Sequence, residues 1–186
     1  LGGCDALSSS QTERADTSYA SSEFPKAHRP VAPIVSSQFS TEAARDTLNE
    51  ADIVMDRAGI KPGMTVADIG AGEGYYTIRL ATRVGEDGRV LAQDIVPEVR
   101  DRLAERVNRE SLDNVSVKLG TPEDPMLPAN SFDRVFMVHM YHEIGSPYEF
   151  IWRMRPSLKH DGQVIVVDME RPAGTHGIPL SLLKCE

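Results

Sequence analysis

From Val66 onward, short apolar runs alternate with stretches whose apolar residues recur every three or four positions. "VADI" (66–69), "RVLAQDI" (89–95), "VSVKL" (115–119), "DRVFMVH" (133–139) and "QVIVVDM" (163–169) read as five strands. Between them, Tyr75 to about Val84 predicts a helix with Ile78, Leu80 and Val84 on its apolar side. Pro97 opens a second helix carrying Val99, Leu103 and Val107, and Ser146-Pro147 opens a third carrying Phe150, Ile151 and Met154. Upstream, Ser40 is the expected N-cap of a helix running to about Ala58. Ala44, Leu48, Ala51, Val54, Met55 and Ala58 share its face, and Gly59 ends it. Strands alternating with helices predict an α/β fold, a Rossmann-like parallel sheet with helices on both faces. Continuous apolar runs such as Val164–Val167 fit strands buried on both sides.

The first 39 residues lack this pattern. "SSSQTERADTSYASSEFP" has no apolar period, so residues 1–39 are expected to form a flexible polar tail ahead of one domain at 40–186. "HRPVAPIV" is held extended by its prolines and is expected to lie against that domain. The chain's 186 residues, 40% of them hydrophobic and 26% charged, suit a single globular core. A net charge of −8 argues against a nucleic-acid partner, which needs a basic face. Cys4 and Cys185 sit at opposite ends, giving neither a disulfide framework nor a zinc spacing. No apolar run approaches the roughly 18 residues that would span a membrane. Leu1-Gly2-Gly3-Cys4 resembles the end of a bacterial lipoprotein signal. That likeness implies membrane anchoring through a lipidated Cys4. The alternative is a chance cysteine in a tail and a cytoplasmic protein.

The first strand runs into Gly70-Ala71-Gly72-Glu73-Gly74 and then directly into a helix. A parallel sheet binds ligands beyond the carboxyl ends of its strands, which is where this loop lies. Glycine allows a tight turn and close approach of a ligand, and the helix start supplies free N–H groups. Dinucleotide loops place a third glycine five residues after the first, a position that here is Tyr75. Both dinucleotides and adenosyl compounds present a ribose, and both call for an acid at the end of the second strand. Asp94, 24 residues after Gly70, is placed for it.

"VADIGAGEG" resembles the first motif of class I S-adenosylmethionine-dependent methyltransferases, an apolar strand followed by D-x-G-x-G-x-G. The resemblance covers roughly residues 50–170 and implies S-adenosylmethionine as cofactor. It implies that Asp68, Gly70, Ala71, Gly72 and Gly74 surround the donor's methionine end, that Asp94 holds the ribose, and that Ile95 and Pro122 also contact the cofactor. It places Thr121 at the adenine, where the family often carries an acid, with Glu123 or Asp124 as the alternatives, and His139 on the donor pocket wall. "FDRVFMVHMYHEI" (132–144) is similar to the family's fourth strand. "LKHDGQVIVVD" (158–168) is similar to its fifth, with His160 where proline is usual. The family continues with strands six and seven, so the chain is expected to be truncated and to lack these last two strands.

Methyl transfer from a sulfonium is an in-line displacement that needs alignment and exclusion of water. A base is needed only where the acceptor must lose a proton. His142 and Glu143 are the catalytic candidates, because an imidazole, with an ordinary pKa of about 6.5, takes a proton near neutral pH. Two histidines three apart also raise a metal, but no third ligand and no H-E-x-x-H is visible, so none is expected. Asp168 and Glu170 end strand five near the substrate side, with a role there as one reading and a solvated pair as the default. The expected function is methyl transfer to a small-molecule or envelope acceptor. A non-catalytic adenosine-compound-binding domain is the second reading, and an NAD-dependent oxidoreductase is the third.

Overall fold

The computed structural model describes residues 24–34 and 41–184. Residues 1–23 of the expected tail, with Cys4, and also Ser40 and Cys185, lie outside the described residues. Five strands, β1 (Thr65–Ile69), β2 (Arg89–Asp94), β3 (Val115–Leu119), β4 (Phe132–Val138) and β5 (Leu158–Val167), form one sheet in the order β3-β2-β1-β4-β5. All neighbouring pairs are parallel. The order reverses between β2 and β4 on either side of β1, which opens a crevice at the carboxyl ends of these strands.

Residue alternation along the strands assigns the helices to the two faces. Val66, Val90 and Phe136 pack under α2 (Glu50–Arg57) and α3 (Tyr75–Val84). Ala92 packs under Leu103 and Val107 of α4 (Pro97–Arg109). On the opposite face, Ala67, Ile69, Val135 and Met137 pack against Phe150 and Met154 of α5 (Pro147–Met154). The expected Rossmann-like sheet with helices on both faces is thus present.

Three local expectations need correction. The helix predicted over 40–58 is two helices, α1 (Glu42–Thr47) and α2, because Asn49 adopts a left-handed conformation with φ 51°. The turn takes Leu48 off the buried face, leaving it 71% exposed. The cap of α1 is Thr41, whose Oγ1 accepts from the Ala44 N–H at 3.2 Å. The fifth strand starts at Leu158 rather than Gln163. Its register against β4 jumps between Phe132↔Leu158 and Arg134↔Gln163, so the stretch ahead of Gln163 is a bulge within the strand. A short α6 (Leu180–Leu183) follows, and among the described residues no strand pairs with the outer edge of β5.

The proline-rich stretch lies against the domain as expected. Ala32 N donates to His142 O at 3.1 Å, and the buried Arg29 guanidinium donates to the carbonyls of His142 and Tyr141 at 3.1 and 3.2 Å.

Candidate functional site

The loop after β1 is shaped by positive φ at all three glycines, 65° at Gly70, 56° at Gly72 and 92° at Gly74. Their surroundings differ. A Cβ on Gly70 would lie 3.0 Å from Met140 Cγ, and one on Gly74 would lie 2.5 Å from Leu103 Cδ1. A Cβ on Gly72 would meet nothing within 4 Å. Gly74 therefore seats the start of α3 against α4, whereas Gly72 leaves its backbone open to a ligand. The loop is tied down by Ala71 N donating to Gln93 O at 2.9 Å and by Gly72 N donating to Asp94 Oδ2 at 3.0 Å. Asp94 Oδ1 accepts from Val96 N at 3.0 Å. A carboxylate has about four acceptor positions, so about two remain for vicinal hydroxyls.

A cavity of about 1010 Å³ opens over this crevice, a size suited to a cofactor with a small partner. Gly70, Ala71, Gly72, Asp94, Ile95, Thr121, Pro122, His139, His142 and Glu143 all line it. Asp68 and Gly74 are not on its wall. Asp68 is 3% exposed, faces α3 and accepts from Thr77 Oγ1 at 2.6 Å. Burial raises its pKa to about 6, although the Thr77 hydroxyl pulls the other way. Thr121 closes its own turn, with Oγ1 accepting from Asp124 N at 3.0 Å.

Residues that the sequence did not single out also border the cavity. Gln93 is 1% exposed, lies on its wall and, among the described residues, has no hydrogen-bond partner for Nε2. The residues fit an adenosyl donor on three counts: an open backbone at Gly72, spare acceptor positions on Asp94 and an unanswered buried amide on Gln93. Glu50 Oε1 on α2 accepts from Arg45, Tyr76 OH and His139 Nε2 at 2.7, 3.0 and 3.1 Å. Burial opposes its ionisation, but the contacts to His139 and Arg45 outweigh it and lower the Glu50 pKa to about 2. This network holds His139 at the end of β4, where its φ is 55°, a strain of the kind concentrated at functional sites.

The opposite end of the cavity is built on a 3-10 turn, Tyr141–Glu143, directly after β4. His142 is 3% exposed, and its Nδ1 lies 2.9 Å from both carboxylate oxygens of Asp168 at the end of β5. Asp168 also accepts from the backbone N–H groups of His142 and Met169 at 3.1 and 2.8 Å. The reading of Asp168 as solvated is corrected, since its side chain is 1% exposed. An acceptor-only carboxylate fixes the proton on Nδ1 and leaves the Nε2 lone pair to the cavity. Glu143 Oε1 lies 3.9 Å from that Nε2. His176, from the loop after β5, presents its ring 5.7 Å from the His142 ring. It joins a group where the sequence showed only two candidate ligands.

A methyltransferase domain family profile matches residues 66–162. The nocamycin O-methyltransferase of Saccharothrix syringae is 42% identical over 83 residues, 44% of this chain and 29% of that protein. The crystal structure of an S-adenosylmethionine-dependent methyltransferase from Aquifex aeolicus superposes with a TM-score of 0.63 at 28% identity, covering 77% of this chain and 80% of that one. Coclaurine N-methyltransferase bound to N-methylheliamine and S-adenosylhomocysteine superposes with a TM-score of 0.59, covering 74% of this chain and 39% of that one. At 22% identity this is a likeness of fold. The chain spans 29%, 60% and 46% of the length of three curated methyltransferase relatives. The family profile covers just over half of the chain, and the sheet order and glycine loop agree with it: the chain belongs to the class I S-adenosylmethionine-dependent methyltransferase family.

Proposed function

We propose that the chain carries methyl transfer from S-adenosylmethionine to a small acceptor whose nucleophilic atom must shed a proton. The observation that carries this reading is the buried Asp168–His142 pair opening on the same cavity as the glycine loop. When bound, the donor supplies a methyl group already activated on a sulfonium. The backbone at Gly70 to Gly72 would hold its methionine end, Asp94 and Ile95 its ribose, and Gln93, Thr121 and Pro122 its base. Asp68 acts behind the loop, fixing the first turn of α3 through Thr77.

His142 keeps its proton at Nδ1 against Asp168 and accepts the acceptor's proton at Nε2. Glu143 beside it orients a polar group of the acceptor. Ile144, Phe150 and Met169 line this end of the cavity and exclude water, which favours displacement over side reactions. Two features support a small acceptor: a cavity of about 1010 Å³ and the net charge of −8.

Calorimetric titration with S-adenosylhomocysteine, S-adenosylmethionine and NAD tests the cofactor. Micromolar affinity for the first two and none for NAD is expected. Binding of NAD alone would overturn the reading, and binding of the donor without turnover of any acceptor in a screen would favour a non-catalytic binding domain.

A further inference from the structure

We propose that His142 Nε2, the Glu143 carboxylate and His176 form a divalent metal site at the acceptor end of the cavity. The three ligand atoms lie within 4.8 Å of one another, and His142 Nε2 to Glu143 Oε1 is 3.9 Å. A bound ion with ligand distances of about 2.0–2.2 Å needs its ligands about 3–3.5 Å apart, so a contraction of about 1 Å closes the site. The Glu143 and His176 side chains are only partly buried.

The positions are built into the fold. His142 and Glu143 share the 3-10 turn after β4. His176 lies on a loop closed by Ile178 N donating to Met169 O at 2.9 Å, with Ile178 itself 1% exposed in the core. Gly174 turns that loop with φ 82°, and a Cβ there would lie 2.9 Å from Pro30 Cβ. The segment at 24–34 thus backs the loop that carries His176 and also grips the carbonyls of the turn that carries His142.

The electronic arrangement suits a metal. Asp168 holds Nδ1–H of His142, which leaves the lone pair on Nε2, 3.9 Å from Glu143 Oε1. A carboxylate behind a ligating imidazole fixes its tautomer and raises its basicity. Two imidazoles and one carboxylate suit zinc, cobalt or ferrous iron better than magnesium or calcium. Three protein ligands leave a coordination position open to the cavity. The site stands on its own geometry, and its use rests on the methyl-transfer reading. A bound ion would occupy Nε2, turn His142 from base into ligand, and hold the acceptor oxygen directly with its pKa lowered.

The test is Co²⁺ titration of the chelator-treated chain, followed by visible absorption, with Zn²⁺ competition and a parallel S-adenosylhomocysteine titration. One Co²⁺ per chain is expected, displaced by Zn²⁺. His176→Ala and Glu143→Gln should each weaken it at least about 10-fold, and Asp168→Asn about 10- to 100-fold. Unchanged S-adenosylhomocysteine affinity in these variants shows that they fold. Absence of Co²⁺ binding, or equal affinity in His176→Ala, overturns the site. Co²⁺ binding through the three residues in a chain that ignores S-adenosylhomocysteine would sink the donor assignment and keep the metal site.

Discussion

The two ends of the cavity are made in different ways. The donor end is mainly backbone: a five-residue loop with three positive-φ glycines, tied by main-chain donors to Gln93 and Asp94. The acceptor end is mainly side chains carried on separate segments, His142 and Glu143 after β4, Asp168 ending β5 and His176 beyond it. A backbone cradle recognises what every donor molecule shares, and it tolerates few residue types. Side chains on separate loops can change without disturbing the sheet, which is how one fold serves many acceptors.

The sharpest way to break this contrast is a crossed pair of substitutions. His142→Ala should lower acceptor-dependent turnover by about 10²- to 10⁴-fold, the usual worth of a positioned base, while S-adenosylhomocysteine still binds with unchanged affinity. Asp94→Ala should weaken S-adenosylhomocysteine about 10- to 100-fold, since a hydrogen bond to a charged group is worth roughly 1.5–3 kcal/mol. If His142→Ala impaired donor binding as much as turnover, the two ends would be one unit. Asp168→Asn should mimic His142→Ala in direction, because an amide donates to Nδ1 and moves the imidazole proton to Nε2.

The same contrast explains what could be read from the sequence. The glycine loop, Asp94 and the five strands were legible because each is a contiguous pattern with a fixed period or spacing. The Asp168–His142 pair was not, because it joins residues 26 positions apart whose neighbours look like ordinary strand-end polar residues. Nothing local distinguishes an Asp that will be 1% exposed from a solvated one. His176 carries even less signal, since a lone histidine in a glycine- and proline-rich loop gains meaning only when Ile178 anchors that loop. Glu50 precedes the glycine loop by 20 residues and reaches the site only because Asn49 breaks the helix ahead of it.

Within the donor end, Gly74 and Gly72 separate structure from recognition. Gly74→Ala adds left-handed strain and a 2.5 Å clash with Leu103, and should cost about 2–4 kcal/mol, read as a fall in Tm. Gly72→Ala meets no protein atom within 4 Å and should cost only about 1 kcal/mol, yet it should weaken S-adenosylhomocysteine more than that loss of stability explains. Equal effects on affinity and Tm at both positions would show that the loop's shape, rather than access to Gly72, governs binding.

The smallest expected effect concerns Asp68, which supports the loop without reaching the cavity. Burial raises its pKa from an unfolded 3.8 to about 6. Between those values the folded chain keeps a proton that the unfolded chain releases, so stability falls as pH rises. The contribution is full below 3.8 and is lost as pH passes 6. Glu50 has the opposite sign. Its pKa is lowered from 4.5 to about 2, so its contribution holds above 4.5 and is lost only as pH falls below that value. A comparison of pH 5 with pH 7.5 therefore leaves Glu50 out, and the difference from Asp68→Asn separates Asp68 from every other group. About one pKa unit of its shift falls in this window, equivalent to about 1 kcal/mol. Asp68→Asn keeps the shape and can still accept from Thr77 while abolishing the titration. Chemical denaturation should show the variant gaining on the parent by about 1 kcal/mol between pH 5 and 7.5. A stability difference that stays constant across the window would mean that Asp68 is ionised throughout, and that the first acid of the motif carries its charge into the donor site.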